Sequence, residues 1–298
     1  MATDSVLPGA TELREVCSLL GIDSGSARLL HQRSNAVYLL PDDELIVRMA
    51  PNTDVRRRRA ETSIAVTRWL DTIRTDIALA PTHAPQPVVT DIAVATFWPY
   101  CPTPTQPGPD VLGELVQQLH GVLVPPFAMP RYRPLARLRE ALAIDGARRS
   151  PALDPVERAW LLERSESVVA EFTATRFPLG HGLIHSDVHA ENVIRQGAQW
   201  KLIDWDGCCV GPRELDLVAM IPDHFHQPDS ERKRFAEAYG RDLLDWAQWS
   251  MLQALIELHS LGSYIRRAPS APMADAELHR RLHSLRTGNR SVVWNAVS

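Results

Sequence analysis

The 298-residue sequence predicts an α+β fold, with an antiparallel sheet and one helix in the N-terminal third and a mostly helical remainder. Three observations carry this. Two apolar runs, 36–40 and 44–49, flank the turn cluster Pro41-Asp42-Asp43, which reads as a pair of strands. Ile64, Val66, Trp69, Leu70 and Ile73 then recur at helical spacing. Beyond Asp110, one helix-forming segment follows another almost to the C-terminus.

Taken in order, residues 27–50 are expected to hold the two strands and 59–73 the helix. The basic run Arg56–Arg59 sits at that helix's start and suits a solvated or phosphate-facing edge. Residues 88–91 and 92–99 supply further strand. Phe97-Trp98-Pro99-Tyr100-Cys101 then runs into Pro102, Pro104, Pro107 and Pro109, which fit neither helix nor central strand, so a linker is expected. Asp110 is the expected N-cap of a helix over 111–119. Helices follow over 134–147 and 154–176, a strand enters at Leu183-Ile184-His185, and helices over 230–239, 243–267 and 275–285 complete the chain.

Composition narrows the function. Hydrophobic residues make up 45% of the chain, enough for an ample core, and the net charge of −4 argues against a dedicated nucleic-acid binder. Cys17, Cys101, Cys208 and Cys209 show no disulfide-framework spacing, which suits reduced thiols in a cytoplasm. Met1-Ala2-Thr3-Asp4 does not begin a signal peptide and no stretch reaches the length of a membrane span, so a soluble cytoplasmic protein is expected. The only lysines are Lys201 and Lys233, and neither follows glycine. A Walker A loop is therefore excluded, and the absence of G-x-G-x-x-G removes the main support for a Rossmann enzyme.

The most informative segment is His185-Ser186-Asp187-Val188-His189-Ala190-Glu191-Asn192, followed by Leu202-Ile203-Asp204-Trp205-Asp206. A carboxylate leads an amide by five positions, and a second carboxylate ends an apolar segment downstream. Phosphoryl transfer to a hydroxyl asks for such a set: one group beside the acceptor's proton, and two hard oxygens for Mg²⁺. The runs Val193-Ile194 and Lys201-Leu202-Ile203 around Gln196-Gly197-Ala198 read as a hairpin that brings Asn192 and Asp204 to neighbouring ends. A competing reading is a metal hydrolase site from His185, Asp187, His189 and Asp204 or Asp206, though that leaves Asn192 without a purpose.

The pattern H-x-D-x-x-x-x-N followed by a strand ending in Asp resembles the aminoglycoside phosphotransferase and choline kinase family, the small-molecule branch of the protein-kinase-like fold. The resemblance implies a bilobal molecule with a nucleotide-binding N-lobe over 1–100 and a C-lobe over 101–298. It implies a kinase that moves the γ-phosphate of ATP or GTP to a hydroxylated small molecule. Asp187 would align or deprotonate the acceptor, Asn192 and Asp204 would bind Mg²⁺, and His185 would brace the loop.

In the N-lobe the same resemblance makes Ser34-Asn35 the nucleotide-loop tip and places Arg48 where kinases usually carry lysine, with Glu61 orienting it. Phe97, Trp98 and Tyr100 fall at the hinge that would hold the base. Leu112-Gly113 and Leu119-His120 are similar to the family's "LG…LH" helix. Gly211–Leu217 is similar to its "GDPxxDLA" segment, where Asp216 would tie to the catalytic loop. Acidic and basic residues offset one another beyond 222, so no excess for polycations appears. Trp246, Trp249, Met251 and Tyr264 are candidates for a pocket or for core. A nucleotide-binding regulatory module, with Arg48 as its mark, is the rival from another class.

Overall fold

The computed structural model describes residues 7–296 and divides by contacts into two compact units. The first takes the chain up to Pro130 together with Gly182–Val210, and the second takes Arg131–His181 and the chain from Gly211 onward. Met1-Ala2-Thr3-Asp4 lie outside the described residues.

The first unit is built on β1 (Arg28–Gln32), β2 (Ala36–Leu40), β3 (Leu45–Pro51), β4 (Val88–Val89) and β5 (Ala93–Pro99). They form one antiparallel sheet in the order β1-β2-β3-β5-β4. The Pro41-Asp42-Asp43 cluster sets Leu40 opposite Leu45 and Val37 opposite Arg48. Side chains alternate along a strand, so this register decides both faces. Ala36, Tyr38, Leu40, Val47, Met49, Ala95 and Phe97 share one face, where they pack on Leu13, Val16 and Cys17 of α1 (Ala10–Ser18). The other face carries Arg48, Thr96 and Trp98, and its Ala50 and Val94 pack on Ala60 of α2 (Asp54–Thr72).

Two elements of this unit lie outside the sequence expectation and two helices begin earlier than expected. β1 is exposed along its whole length and bulged between Leu29 and His31, so it lacks the alternation that marks a strand. α1 commits only Leu13, Val16 and Cys17 to the core, a short stripe. α2 begins at Asp54 because Thr53 caps it, accepting from the Arg56 amide at 3.3 Å. The basic run thus forms its first turns. Likewise α3 (Pro109–Gly121) is capped by Gly108 with Pro109 in its first turn, so Asp110 lies inside the helix.

After β6 (His181–Ile184) come β7 (Val193–Gln196), β8 (Gln199–Leu202) and β9 (Cys209–Pro212). β7 and β8 form the expected hairpin, Val193 opposite Leu202, with Gly197 at φ 61° first in a two-residue loop of the II′ kind.

The second unit is helical: α4 (Ala136–Gly146), α5 (Pro155–Ala174), α6 (Asp229–Tyr239), α7 (Trp249–Arg267) and α8 (Pro272–Thr287). α7 packs on α4, α5 and α8. A Cβ at Gly262 would lie 3.4 Å from the Leu138 Cα, so glycine lets the α4 and α7 backbones approach. Met251 and Tyr264, candidates for a pocket, are core residues, and Trp246 packs on Phe177 with ring centroids 5.6 Å apart. Asp216 is fully buried within this unit. Among the described residues no helix is long and apolar enough to cross a membrane.

Candidate active site

The site is assembled inside the first unit from the β1–β2 turn, β3, the loop after β6 and the turn after β8. β6 delivers His185, which is fully buried against Trp205 with centroids 4.8 Å apart, and its Nε2 sits 2.9 Å from the Ile203 carbonyl. The Ile203 amide in turn donates to the Asn192 carbonyl at 2.9 Å. Backbone and imidazole thus lace the loop from His185 to Asn192 to the segment that ends in Asp204.

Within the loop, the Asn192 amide nitrogen reaches the Asp187 carbonyl at 2.9 Å, the Asp187 carboxylate at 3.2 Å and His189 Nε2 at 2.9 Å. An amide nitrogen so engaged turns its oxygen, the atom that ligates hard cations, the other way. Asp187 is exposed, 3.7 Å from His189. Partial desolvation by the surrounding loop pushes the Asp187 carboxyl up, but His189, with His185 and Asn192, holds it below the ordinary carboxylate range. The same contact raises His189.

Opposite the loop, Arg48 extends from β3 with its side chain 15% exposed and pairs with Asp204 at 2.8 Å and Asp206 at 3.4 Å. Burial acts against its charge, but Asp206 and Asp204 overcome this and raise its pKa. The Asn35 amide lies beside the guanidinium. With its oxygen toward Arg48 it accepts at 2.8 Å, and its nitrogen donates to the Ser34 carbonyl at 3.1 Å, which is the orientation hydrogen-bond chemistry requires. Arg33, next in the turn, reaches Glu191 of the loop after β6 at 3.0 Å. Ser186 at φ 65° and Asp204 at φ 62° are both left-handed without being glycine, a conformation that costs about 1–2 kcal/mol each.

The structure therefore gathers Asn35, Arg48, His185, Asp187, Asn192 and Asp204 in this site. It does not bring Glu61 or Phe97 there. Glu61 is exposed on α2, and the carboxylates on Arg48 come from beyond β8 instead. Phe97 is fully buried on the α1 face of the sheet, opposite to Arg48, because it stands one residue from Trp98 on a strand of period two. Trp98 shares Arg48's face and donates to Thr96 Oγ1 at 2.9 Å. Ser34 and Tyr100 are exposed, the latter held by its amide to the Glu44 carbonyl at 2.7 Å.

Asp206, whose role the sequence left ambiguous, is a partner of Arg48, and His189 is a partner of Asn192. The repeat of His two positions after Asp187 was the available signal for the latter. The hydrolase ligand set is not assembled: His185 Nε2 is engaged with a carbonyl, and among the described residues no three His, Cys, Asp or Glu group to hold a metal. Asn192 and Asp204 are hard oxygen donors and fit Mg²⁺, which takes few protein ligands beside phosphate.

Comparison with known proteins agrees with this class of site. The profile of the phosphotransferase enzyme family matches residues 27–252. The chain belongs to that family and is by class a small-molecule kinase. No curated protein sequence matches it. Among solved structures, an amicoumacin kinase bound to AMP-PNP, Ca²⁺ and amicoumacin is similar at TM-score 0.71 and 14% identity, covering 96% of this chain and 95% of that one. A spectinomycin phosphotransferase with ADP and spectinomycin is similar at TM-score 0.65 and 16% identity, with 93% and 94% covered. A choline/ethanolamine kinase family protein from Mesorhizobium loti follows at 0.64 and 13%, with 94% and 96% covered. These likenesses establish a kinase-like α+β fold.

Proposed function

We propose that this enzyme transfers the γ-phosphate of ATP or GTP to a hydroxyl of a small molecule, with Asp187 at the acceptor and Asn192 and Asp204 at Mg²⁺. One observation carries the reading: the Asn192 amide touches Asp187 while its backbone carbonyl takes the Ile203 amide, so base, amide and metal carboxylate belong to one laced unit. Asp187 holds the acceptor hydroxyl and receives its proton as the oxygen bonds to the γ-phosphorus. The bond from that phosphorus to the β–γ bridging oxygen breaks, and nucleoside diphosphate leaves. The depressed pKa of Asp187 keeps it ionised for this task near neutrality. Arg48 binds phosphate oxygens through its planar fork, and His185 holds the loop in place. Bound at Asn192 and Asp204, Mg²⁺ would neutralise charge on the donor phosphates.

Serine 34 and Asn35 lie at the turn that faces phosphate, and Trp98 and Tyr100 stand toward the base. Residues 1–100 act as the nucleotide lobe and 101–298 carry the acceptor side. The relatives' nucleotide and antibiotic complexes, including a GDP and kanamycin complex, support a nucleoside triphosphate donor and a compact hydroxylated acceptor such as an antibiotic, sugar or amino alcohol. That Cys17, Cys101, Cys208 and Cys209 are not joined in disulfides favours a cytoplasmic location.

The test is Asp204→Ala. Turnover is expected to vanish and Mg²⁺-dependent binding of ATP or GTP to weaken. Undiminished turnover, or an activity that follows Zn²⁺ instead, would return the hydrolase reading to favour.

A further inference from the structure

Ser186 and Gly207 form a pair that joins the residue before Asp187 to the turn after Asp204. The Ser186 hydroxyl donates to the Gly207 carbonyl at 2.8 Å, across 21 positions of sequence. Gly207 is not left-handed, so its backbone does not call for glycine. What calls for it is the hydroxyl: a Cβ at 207 would stand 2.7 Å from Ser186 Oγ, closer than real side chains come, while its next neighbour, the His185 carbonyl, is at 3.6 Å. Ser186 itself holds φ 65°, a conformation that serine does not favour, immediately before the carboxylate that meets the acceptor.

Resting on the phosphotransfer reading above, we infer that Ser186 is a positioning residue that fixes Asp187 against the metal-holding turn, and that Gly207 is glycine in order to receive it. The strained φ directs Asp187 out of the loop, and the hydroxyl anchors the strained point to the segment Asp204-Trp205-Asp206-Gly207. The His185–Ile203 contact lies one residue back on the loop and four residues back on the other segment, so the two bonds together suppress both sliding and rotation of the loop against the turn. Both residues act here through Asp187 rather than on phosphate or acceptor. Their effect reaches the reaction through the placement of Asp187, where misplacement by about 1 Å is enough to reduce rate by two orders of magnitude.

The pair has a genetic signature. Ser186→Ala removes the hydrogen bond directly. Gly207→Ala removes it indirectly, because the new methyl forces the hydroxyl aside. Both changes break one bond, so the double variant should be no slower than the slower single. The experiment compares the parent, both singles and the double for phosphoryl transfer to the best acceptor found in a hydroxyl-compound screen, with kcat, nucleotide KM and thermal unfolding midpoint measured for each.

The expected result is a kcat lower by about tenfold or more in each single, nucleotide KM within about twofold of the parent, and no further loss in the double. Ser186→Ala at parental kcat, or losses that multiply in the double, overturns the inference. A kcat loss in Ser186→Ala matched by a large rise in nucleotide KM and a collapsed midpoint also overturns it, since that is general structural damage. A parent that transfers phosphate to nothing, not even water, overturns the phosphotransfer reading itself, and this inference with it.

Discussion

Arg48, which the sequence resemblance sets at the lysine position of kinases, has a geometry that suits arginine. A guanidinium spreads donors over a rigid plane and can meet two carboxylates at once, as it does with Asp204 and Asp206, whereas an ammonium is a point charge. The site thus holds two acids close together and one buried cation to balance them. Arg48→Ala is expected to raise the nucleotide KM by about tenfold or more, through the loss of a charge-assisted contact to phosphate, and Arg48→Lys to recover part of it. Unchanged nucleotide affinity in Arg48→Ala, read by titration, would reduce the residue to a structural ion pair. That Asp187, Asn192 and Asp204 come together in one place was legible because residue type and spacing are both restrictive. Glu61 was not, because one position on a helix does not reveal which neighbour an exposed side chain meets, and the true partners of Arg48 lie more than 150 positions downstream.

At the scale of elements, strand alternation separates Phe97 from Trp98. Phe97→Ala should cost about 3–5 kcal/mol of stability through the cavity it leaves, with nucleotide affinity kept in the folded protein. Trp98→Ala should weaken nucleotide binding. Denaturant unfolding beside nucleotide titration checks both, and the reverse assignment would show that the sheet's faces are exchanged. In the second unit, Asp145 closes α4. Its carboxylate accepts from the Ala152 amide at 2.8 Å and the Leu153 amide at 3.3 Å, and pairs with Arg158 at 2.8 Å and Arg148 at 3.4 Å. Burial pushes its pKa up, but the Ala152 amide, Arg158 and the Leu153 amide outweigh this and hold it below the usual value.

A pKa lower in the folded than in the unfolded chain stabilises fully above the unfolded value, about 3.9, and is lost as pH falls through the folded one. Asp145→Asn should therefore lose about 3 kcal/mol at pH 7, and its deficit against the parent should narrow below about pH 4. A deficit independent of pH would assign the loss to packing. The hairpin of β7 and β8 and the α7 stripe were legible because apolar period and turn chemistry agree there. β1 and the first turns of α2 were not, since an exposed strand and a polar helix start carry no periodic apolar signal.

For the whole molecule, structural likenesses spanning 93–96% of the chain fix the fold, and the family profile over residues 27–252 fixes the class of reaction. The buried Met251 and Tyr264 show why aromatic and sulfur residues at helical spacing reveal little of an acceptor site from sequence. The most direct measurement is phosphoryl transfer by the Asp187→Asn variant beside nucleotide binding. The substitution keeps the shape and removes the proton acceptor. With Asp187 at the acceptor, kcat should fall by about 10² or more while nucleotide affinity is nearly unchanged. A variant that transfers phosphate as fast as the parent would contradict the mechanism and leave Asp187 a structural residue.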